Sequence, residues 1–376
     1  MIKILVISHS SVVGSYQAKL DLLTRYDGIT VDLIVPPSWN EGGRKVEAET
    51  QRYSSFKTHV IPAYRLNHIA SYFYHPFQLR RVISEVKPSL IYIEEEPWSV
   101  AAWQAVREGM KLRVPVVFFT WENNWRSYKW ISEKILRYVL NKVSGAVAGN
   151  KDAELFLKQR SFSKHIINLP QYGVDLKQFQ KHEAGVCEGL TLKKPVIAYI
   201  GRLEREKGVH ILLEAMVKVS SKCNLLVIGN GSIKPELISL TEKLNLLPRT
   251  QFVDAVPHQE IAKYLSCVDI LVLPSLTTST WKEQFGRILV EAMACGVPVI
   301  GSNSGAIAEV IGDAGVIFRE GNSGDLAERI SILLNNPPLR AEYGLVGKKR
   351  VEMNYTNGKI SHRLYEYFSK IISHGS

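Results

Sequence analysis

The sequence predicts an α/β protein built from two doubly wound parallel-sheet units in tandem, and three observations carry that prediction. Short runs rich in Val, Ile and aromatic residues alternate with amphipathic segments from end to end, the pattern of parallel strands joined by helices. The length, 376 residues, is more than one hydrophobic core fills efficiently. A turn-rich piece, Pro170-Gln171-Tyr172-Gly173-Val174-Asp175, divides the strand series in two. A composition with 45% hydrophobic and 22% charged residues supplies two full cores and excludes a disordered chain, a collagen-like repeat and a coiled coil.

The first strand is Ile2 to Ile7: the run is short, apolar and lacks a cleavage site, so it is a strand and not a secretory signal. Strands follow at residues 31–35, 90–93, 114–119 and 145–148, with helical segments between them. The second series is expected at residues 196–200, 224–228, 250–253, 270–274, 297–300 and 315–318. With a hinge near 168–176, the domains are 1–170 and 171–355, followed by a C-terminal helix at 356–376. That helix carries Ile360, Leu364, Tyr365, Tyr367, Phe368 and Ile371 at amphipathic spacing, which leaves open whether it lies on the second domain or crosses back to the first. In open parallel sheets ligands sit beyond the carboxyl ends of the strands, so two facing units place a ligand in the cleft between them. No stretch approaches 18 consecutive apolar residues, and no spanning helix is expected.

The net charge is +11, with an excess of eight positive charges in residues 1–180 and three in the rest. Charge of this size attracts nucleic acid, anionic lipid or phosphorylated substrates without choosing among them. Four cysteines, Cys187, Cys223, Cys267 and Cys295, lie far apart with no C-x-x-C. Neither a disulfide framework nor a zinc site is expected, and a reducing cytoplasm fits.

The most informative stretch runs from Trp281 through Lys282, Glu283, Gln284, Phe285, Gly286 and Arg287 to Glu291-Ala292-Met293-Ala294-Cys295-Gly296-Val297-Pro298-Val299-Ile300. It reads as a loop, a helix from about Phe285 to Cys295 closed by Gly296, and a strand. The start of such a helix gathers N–H groups and positive dipole, which suits a phosphate or a sugar hydroxyl. Glu283 stands at that start and Glu291 about two turns further on. Taken alone, such a pair reads as two solvated surface glutamates; the surrounding motifs change that weighting.

Together with Gly201-Arg202-Leu203-Glu204-Arg205-Glu206-Lys207-Gly208, Val227-Ile228-Gly229-Asn230-Gly231, Val268-Asp269-Ile270-Leu271 and Tyr172-Gly173-Val174-Asp175, this Glu-x7-Glu pattern resembles the retaining glycosyltransferases of family 4, also called group 1. The resemblance runs from residue 1 to about residue 355. It implies the GT-B architecture, two facing Rossmann-like domains, with the nucleotide-sugar donor on the C-terminal domain and the acceptor on the N-terminal one. By it, Arg202 and Lys207 hold the donor pyrophosphate, Glu283 contacts the donor sugar, the backbone of Gln284, Phe285 and Gly286 faces the same sugar, and Glu291 binds the ribose. Two fixed cations suit a departing nucleoside diphosphate because its negative charge grows as the bond breaks. The resemblance further implies a hexosyltransferase active in polysaccharide, cell-envelope glycan or glycolipid synthesis, with a UDP- or GDP-sugar as donor and a saccharide, lipid-linked or small-molecule acceptor.

Other motifs are weighed beside that frame. Gly229-Asn230-Gly231 lacks the third glycine of a dinucleotide fingerprint and reads as a tight turn or as the family's donor-side glycine loop. No Asp-x-Asp occurs, so no metal and no cofactor beyond the donor are expected. After the first strand, Ser8-His9-Ser10-Ser11-Val12-Val13-Gly14 resembles the family's first glycine loop with only Gly14 retained. Where the family often carries a histidine, this chain has Trp121-Glu122. Glu94-Glu95-Glu96 ends a strand and is either a solvated acidic run or part of an acceptor site; Glu95 and Glu122, at the ends of neighbouring strands, are the acceptor-side candidates.

The basic, aromatic segment at residues 125–142 reads as a core-packing helix or as a surface that meets anionic membrane at the inner face. Residues 72–81 extend that face in the second case. No nucleic-acid signature accompanies these aromatics. Two rival readings are a non-catalytic nucleotide-binding relative, suggested by the eroded first loop, and a nucleotide-sugar epimerase of the same architecture.

Overall fold

A computed structural model describes residues 1–41, 44–124, 128–181, 190–219 and 223–374. The chain divides into two units, Met1–Gly173 with Asn357–Ser376, and Val174–Thr356.

The first unit holds a seven-stranded parallel sheet: β1 (Ile2–Ile7), β2 (Ile29–Val35), β3 (Lys57–Val60), β4 (Leu90–Ile93), β5 (Val116–Thr120), β6 (Gly145–Ala148) and β7 (His165–Asn168). Their order across the sheet is β7-β6-β5-β4-β1-β2-β3. The chain steps outward to one side of β1 and then restarts on the other, so the strand order reverses between β1 and β4. The central strands β4, β5 and β6 are buried along their whole length, as expected of strands covered on both faces by helices.

The second unit holds a six-stranded parallel sheet: β8 (Val196–Ile200), β9 (Asn224–Ile228), β10 (Thr250–Val253), β11 (Ile270–Leu273), β12 (Val299–Ser302) and β13 (Gly315–Phe318). The order β10-β9-β8-β11-β12-β13 again reverses between the first and fourth strands, here β8 and β11. Each sheet therefore has a topological switch point, where ligand-binding loops of such folds diverge.

The eleven strands expected from the sequence all exist, and two more complete the first sheet. Strands β3 and β7 are its edges; Lys57-Thr58-His59-Val60 and His165-Ile166-Ile167-Asn168 are polar and only partly buried, so neither carries the continuous apolar run of a central strand. Strand β12 begins two residues later than expected, after Pro298. That residue has no N–H to give and contributes only its carbonyl, which accepts from the Leu271 N–H at 3.0 Å.

The C-terminal helix Asn357–His374 belongs to the first unit. It packs on the helix Ala18–Leu23, the rings of Tyr26 and Tyr365 stack 4.2 Å apart, and Ile360, Leu364 and Phe368 are buried. The Tyr367 hydroxyl donates to the carbonyl of His165 at 2.7 Å, tying the helix to the β7 edge.

Contrary to the expectation of no disulfide, Cys267 is disulfide-bonded, whereas Cys223 and Cys295 are buried and form no disulfide. Burial, and next the charge of Glu291, push the Cys295 thiol up to about 12.

Candidate functional site

In the second unit the polar residues collect at the switch point. Strand β8 ends at Ile200, and the loop that follows carries Arg202 and the single turn Arg205–Lys207. Strand β11 ends at Leu273, and the chain then runs through Ser275 to Glu283. Lys207 Nζ lies 2.8 Å from Glu283 Oε2, and the Ser275 hydroxyl donates to the same oxygen at 2.8 Å. The indole of Trp281 lies under the ammonium, 4.4 Å from ring centre to Nζ, adding a cation–π contact. The Lys207 side chain is only 13% exposed, so its charge acts where water screens little.

Two glycines make this arrangement possible. Gly208 follows Lys207 with φ +69°, and a β-carbon there would overlap the carbonyl of Pro274. Gly305 has φ +53°, and a β-carbon there would overlap the carbonyl of Glu283, which accepts from the Ala306 N–H at 2.9 Å. Close backbone approach of this kind is open to glycine alone.

Arg202 sits differently. Its side chain is 53% exposed and makes a 3.8 Å ion pair with Glu206, while its carbonyl accepts from the buried Tyr199 hydroxyl at 2.5 Å. The Tyr199 pKa is held well above its ordinary value by burial first and by the Glu283 charge second. The loop of Gly229-Asn230-Gly231 joins this one: the Leu203 N–H donates to the Asn230 carbonyl at 2.9 Å.

The helix after Glu283 is shorter than its sequence suggests, Arg287–Ala294, because Gly286 with φ +74° forms its N-cap. Phe285 is therefore not helical; it is buried and packs edge-on against Tyr355 at 5.8 Å, while Gln284 is exposed. Gly296, with φ +71°, closes the helix as expected. Glu283 and Glu291 are both buried, which removes the solvated-surface alternative for each. On Glu291, Oε1 receives His258 Nε2 at 2.7 Å and Arg287 Nε at 2.8 Å. Its other oxygen, Oε2, has no hydrogen bond among the described residues. His258 was not anticipated; it comes from the turn after β10, and only the fold brings it to a glutamate 33 positions on.

In the first unit the acids are also inside. Glu94 and Glu95 are buried at the carboxyl end of β4, beside the end of β1, and Glu96 is half-buried. Glu94 forms a buried ion pair with Lys19 and accepts from the Ser8 hydroxyl at 3.0 Å. Lys19 also donates to the Gln171 carbonyl at 2.6 Å. Burial lowers the Lys19 pKa, and Glu94 works against that shift. Glu95 accepts from the His9 N–H at 2.7 Å and contacts His9 Nδ1 at 2.5 Å. Glu96 accepts from the Thr120 hydroxyl at 2.6 Å and the Trp121 N–H at 2.9 Å. A solvated acidic run is thus ruled out for this chain.

Glu122, buried at the end of β5, accepts from Trp98 Nε1 at 2.9 Å. Glu95 and Glu122 follow adjacent strands but bind different partners. Trp121 donates its indole N–H to Gln171 Oε1 at 2.9 Å and stands edge-on to Phe119. Gly14 opens a short turn, and a β-carbon there would run into the side chains of Glu49 and Arg52.

Of the basic aromatic segment, residues 125–127 lie outside the described residues. The helix Trp130–Lys142 buries Leu136, Val139 and Leu140 and leaves Trp130 68% exposed beside the exposed Ile131. Core packing is therefore established for one face, while Trp130 and Ile131 at the helix start meet solvent beside the exposed Lys134 and Arg137. No helix among the described residues is long and apolar enough to cross a membrane.

Residues 187–350 match the family model described as glycosyl transferases group 1. Among curated relatives, the chain is 32% identical over 196 residues to the GDP-mannose-dependent monoacylated alpha-(1-6)-phosphatidylinositol monomannoside mannosyltransferase of Corynebacterium glutamicum, a stretch covering 49% of this chain and 51% of that protein. The chain spans about half the length of the curated relatives it matches. Among solved structures it resembles a sucrose-phosphate synthase from Thermosynechococcus elongatus, with TM-score 0.76, 19% identity and 100% of both chains covered. It also resembles Anabaena HepE in complex with UDP, with TM-score 0.73, 19% identity, and 98% and 100% of the two chains covered. At these identities the structural likeness establishes the fold, GT-B.

Proposed function

We propose that this chain, whose residues 187–350 match the glycosyl transferases group 1 model, is a glycosyltransferase of that family and moves a sugar from a nucleotide-sugar donor to an acceptor hydroxyl. The observation that carries the proposal is the pair of half-buried Lys207 with buried Glu283 at the switch point of the second unit, with Ser275 on the same carboxylate. Lys207 and Arg202 are the cations for the donor pyrophosphate. A cation already held in place stabilises the leaving diphosphate more as its charge develops, without reorganisation at the moment of reaction. Glu283 meets the donor sugar with the backbone of Gln284, Phe285 and Gly286. Glu291 offers Oε2 to the ribose hydroxyls, while Arg287 and His258 hold its other oxygen.

The acceptor falls to the first unit, with Glu95 and Glu122 as its candidates. Transfer proceeds with retention and without a metal, within cell-envelope glycan or glycolipid synthesis; the resemblance to a phosphatidylinositol mannoside mannosyltransferase supports that last part. The UDP complex of a protein of the same fold favours UDP as the donor nucleotide, whereas the named relative is GDP-mannose-dependent; both bases stay in the test. The test is release of nucleoside diphosphate from UDP- and GDP-sugars, with the anomer of the freed sugar followed by proton NMR. Release from one donor with the α-anomer appearing first supports the proposal; no release from any donor, with or without added glycosides, contradicts it.

A further inference from the structure

Glu291 is held through one oxygen. Its side chain is 5% exposed, and both of its donors meet Oε1: His258 Nε2 at 2.7 Å and Arg287 Nε at 2.8 Å. Arg287 stands four residues before Glu291 on the same helix, where side chains meet by the geometry of the helix itself. His258 comes from elsewhere, the turn after β10, and the segment 175–179 fixes it there. Its ring lies at 54° to the buried ring of Phe179, 5.3 Å between centres. Its carbonyl accepts from the Gln178 side-chain amide at 3.4 Å, and the Phe179 N–H is itself tied to the Asp175 carbonyl at 2.8 Å. The segment anchors the histidine, and the histidine anchors the glutamate.

An ionised carboxylate only accepts, with about two sites on each oxygen, so His258 gives its Nε2 proton and the two donors fill Oε1. Oε2 has no hydrogen bond among the described residues, and its sites are the ones left for a ligand. A ribose matches them with its adjacent 2′- and 3′-hydroxyls. A 2′-deoxyribose brings one donor and leaves a site on a buried charge unmet, which costs more than an ordinary lost hydrogen bond.

We infer that His258 is a positioning residue which, by filling Oε1, aims Oε2 at the ribose diol and makes the donor site selective for ribonucleoside diphosphates over 2′-deoxyribonucleoside diphosphates, thymidine donors included; this rests on the glycosyltransferase reading, in which Glu291 meets the ribose. Without the histidine the carboxylate keeps one of its two donors and can turn to offer either oxygen, so the 2′-hydroxyl counts for less.

The experiment is calorimetric titration of the full chain with UDP, GDP and ADP, their 2′-deoxy forms, and thymidine diphosphate. It is repeated with His258→Phe, which keeps a ring against Phe179 without the N–H, and with His258→Gln, which returns an N–H at about the reach of Nε2. The native chain should bind its preferred ribonucleotide at least about tenfold more tightly than the 2′-deoxy counterpart. His258→Phe should cut that ratio to below about threefold, and His258→Gln should restore most of it. A merely structural histidine would weaken both sugars by the same factor and leave the ratio as it was. Should His258→Phe not fold, His258→Asn, too short to bring its amide to Glu291, takes its place. An unchanged ratio in that variant, or a native ratio near one, overturns this inference and leaves the glycosyltransferase reading standing. No binding of UDP, GDP or ADP by the native chain overturns the glycosyltransferase reading, and the inference with it.

Discussion

Replacing Lys207 with alanine is expected to lower the rate of nucleoside diphosphate release by about 10² to 10³ at saturating donor, the scale of losing one preorganised charge at a developing anion. Lys207 is placed for that role by several contacts at once. Glu283 holds its ammonium at 2.8 Å, Trp281 lies beneath it at 4.4 Å, and Gly208 lets the following backbone pass the Pro274 carbonyl. The alternative is that Lys207 merely neutralises the buried Glu283. The two roles separate in the kinetics. A structural role would lower thermal stability and leave the rate of the folded fraction within a few-fold of native, whereas a role on the leaving group lowers kcat in protein that is fully folded. Lys207→Met tests the same point with the side-chain volume largely retained.

Lys19→Met is expected to destabilise the first unit by about 3 to 5 kcal/mol, because it leaves the Glu94 carboxylate buried without its cation. Lys19 and Glu94 are both almost wholly inaccessible, and the ammonium also satisfies the Gln171 carbonyl at 2.6 Å. The double variant Lys19→Met with Glu94→Gln should recover most of the loss, since a neutral amide is far cheaper to bury than an unpaired charge. Scanning calorimetry checks this. A single variant within about 1 kcal/mol of native would mean that water reaches Glu94 and that the pair contributes little.

Much of the second unit was legible in the sequence because its signals are local. Gly296 and Pro298 mark a helix end and a strand start within three residues of each other, and the Glu-x7-Glu spacing ties both glutamates to one segment. The two-residue error at the start of that helix has a local cause as well: Gly286 was read as helical, yet its positive φ makes it the cap. The first unit was harder to read. Its acids stand in a run that sequence alone cannot place in or out of water. Their cation and donors, Lys19, His9 and Thr120, come from segments 24 to 86 residues away, brought together by the strand order and not by any periodic pattern. His258 escaped for the same reason, and edge strands β3 and β7 escaped because half-exposed strands carry no apolar run.

The most direct test of the donor site is thermal stabilisation of the purified chain across UDP, GDP, ADP and their sugars, repeated with Glu291→Ala. A ligand that binds only the native state must raise its melting temperature, by an amount equivalent to about 2.7 kcal/mol at a hundredfold excess over Kd. The account predicts a selective shift with one nucleotide and its sugars, lost in Glu291→Ala. A chain that shifts with none of them, or a variant that shifts as much as the native protein, would contradict it.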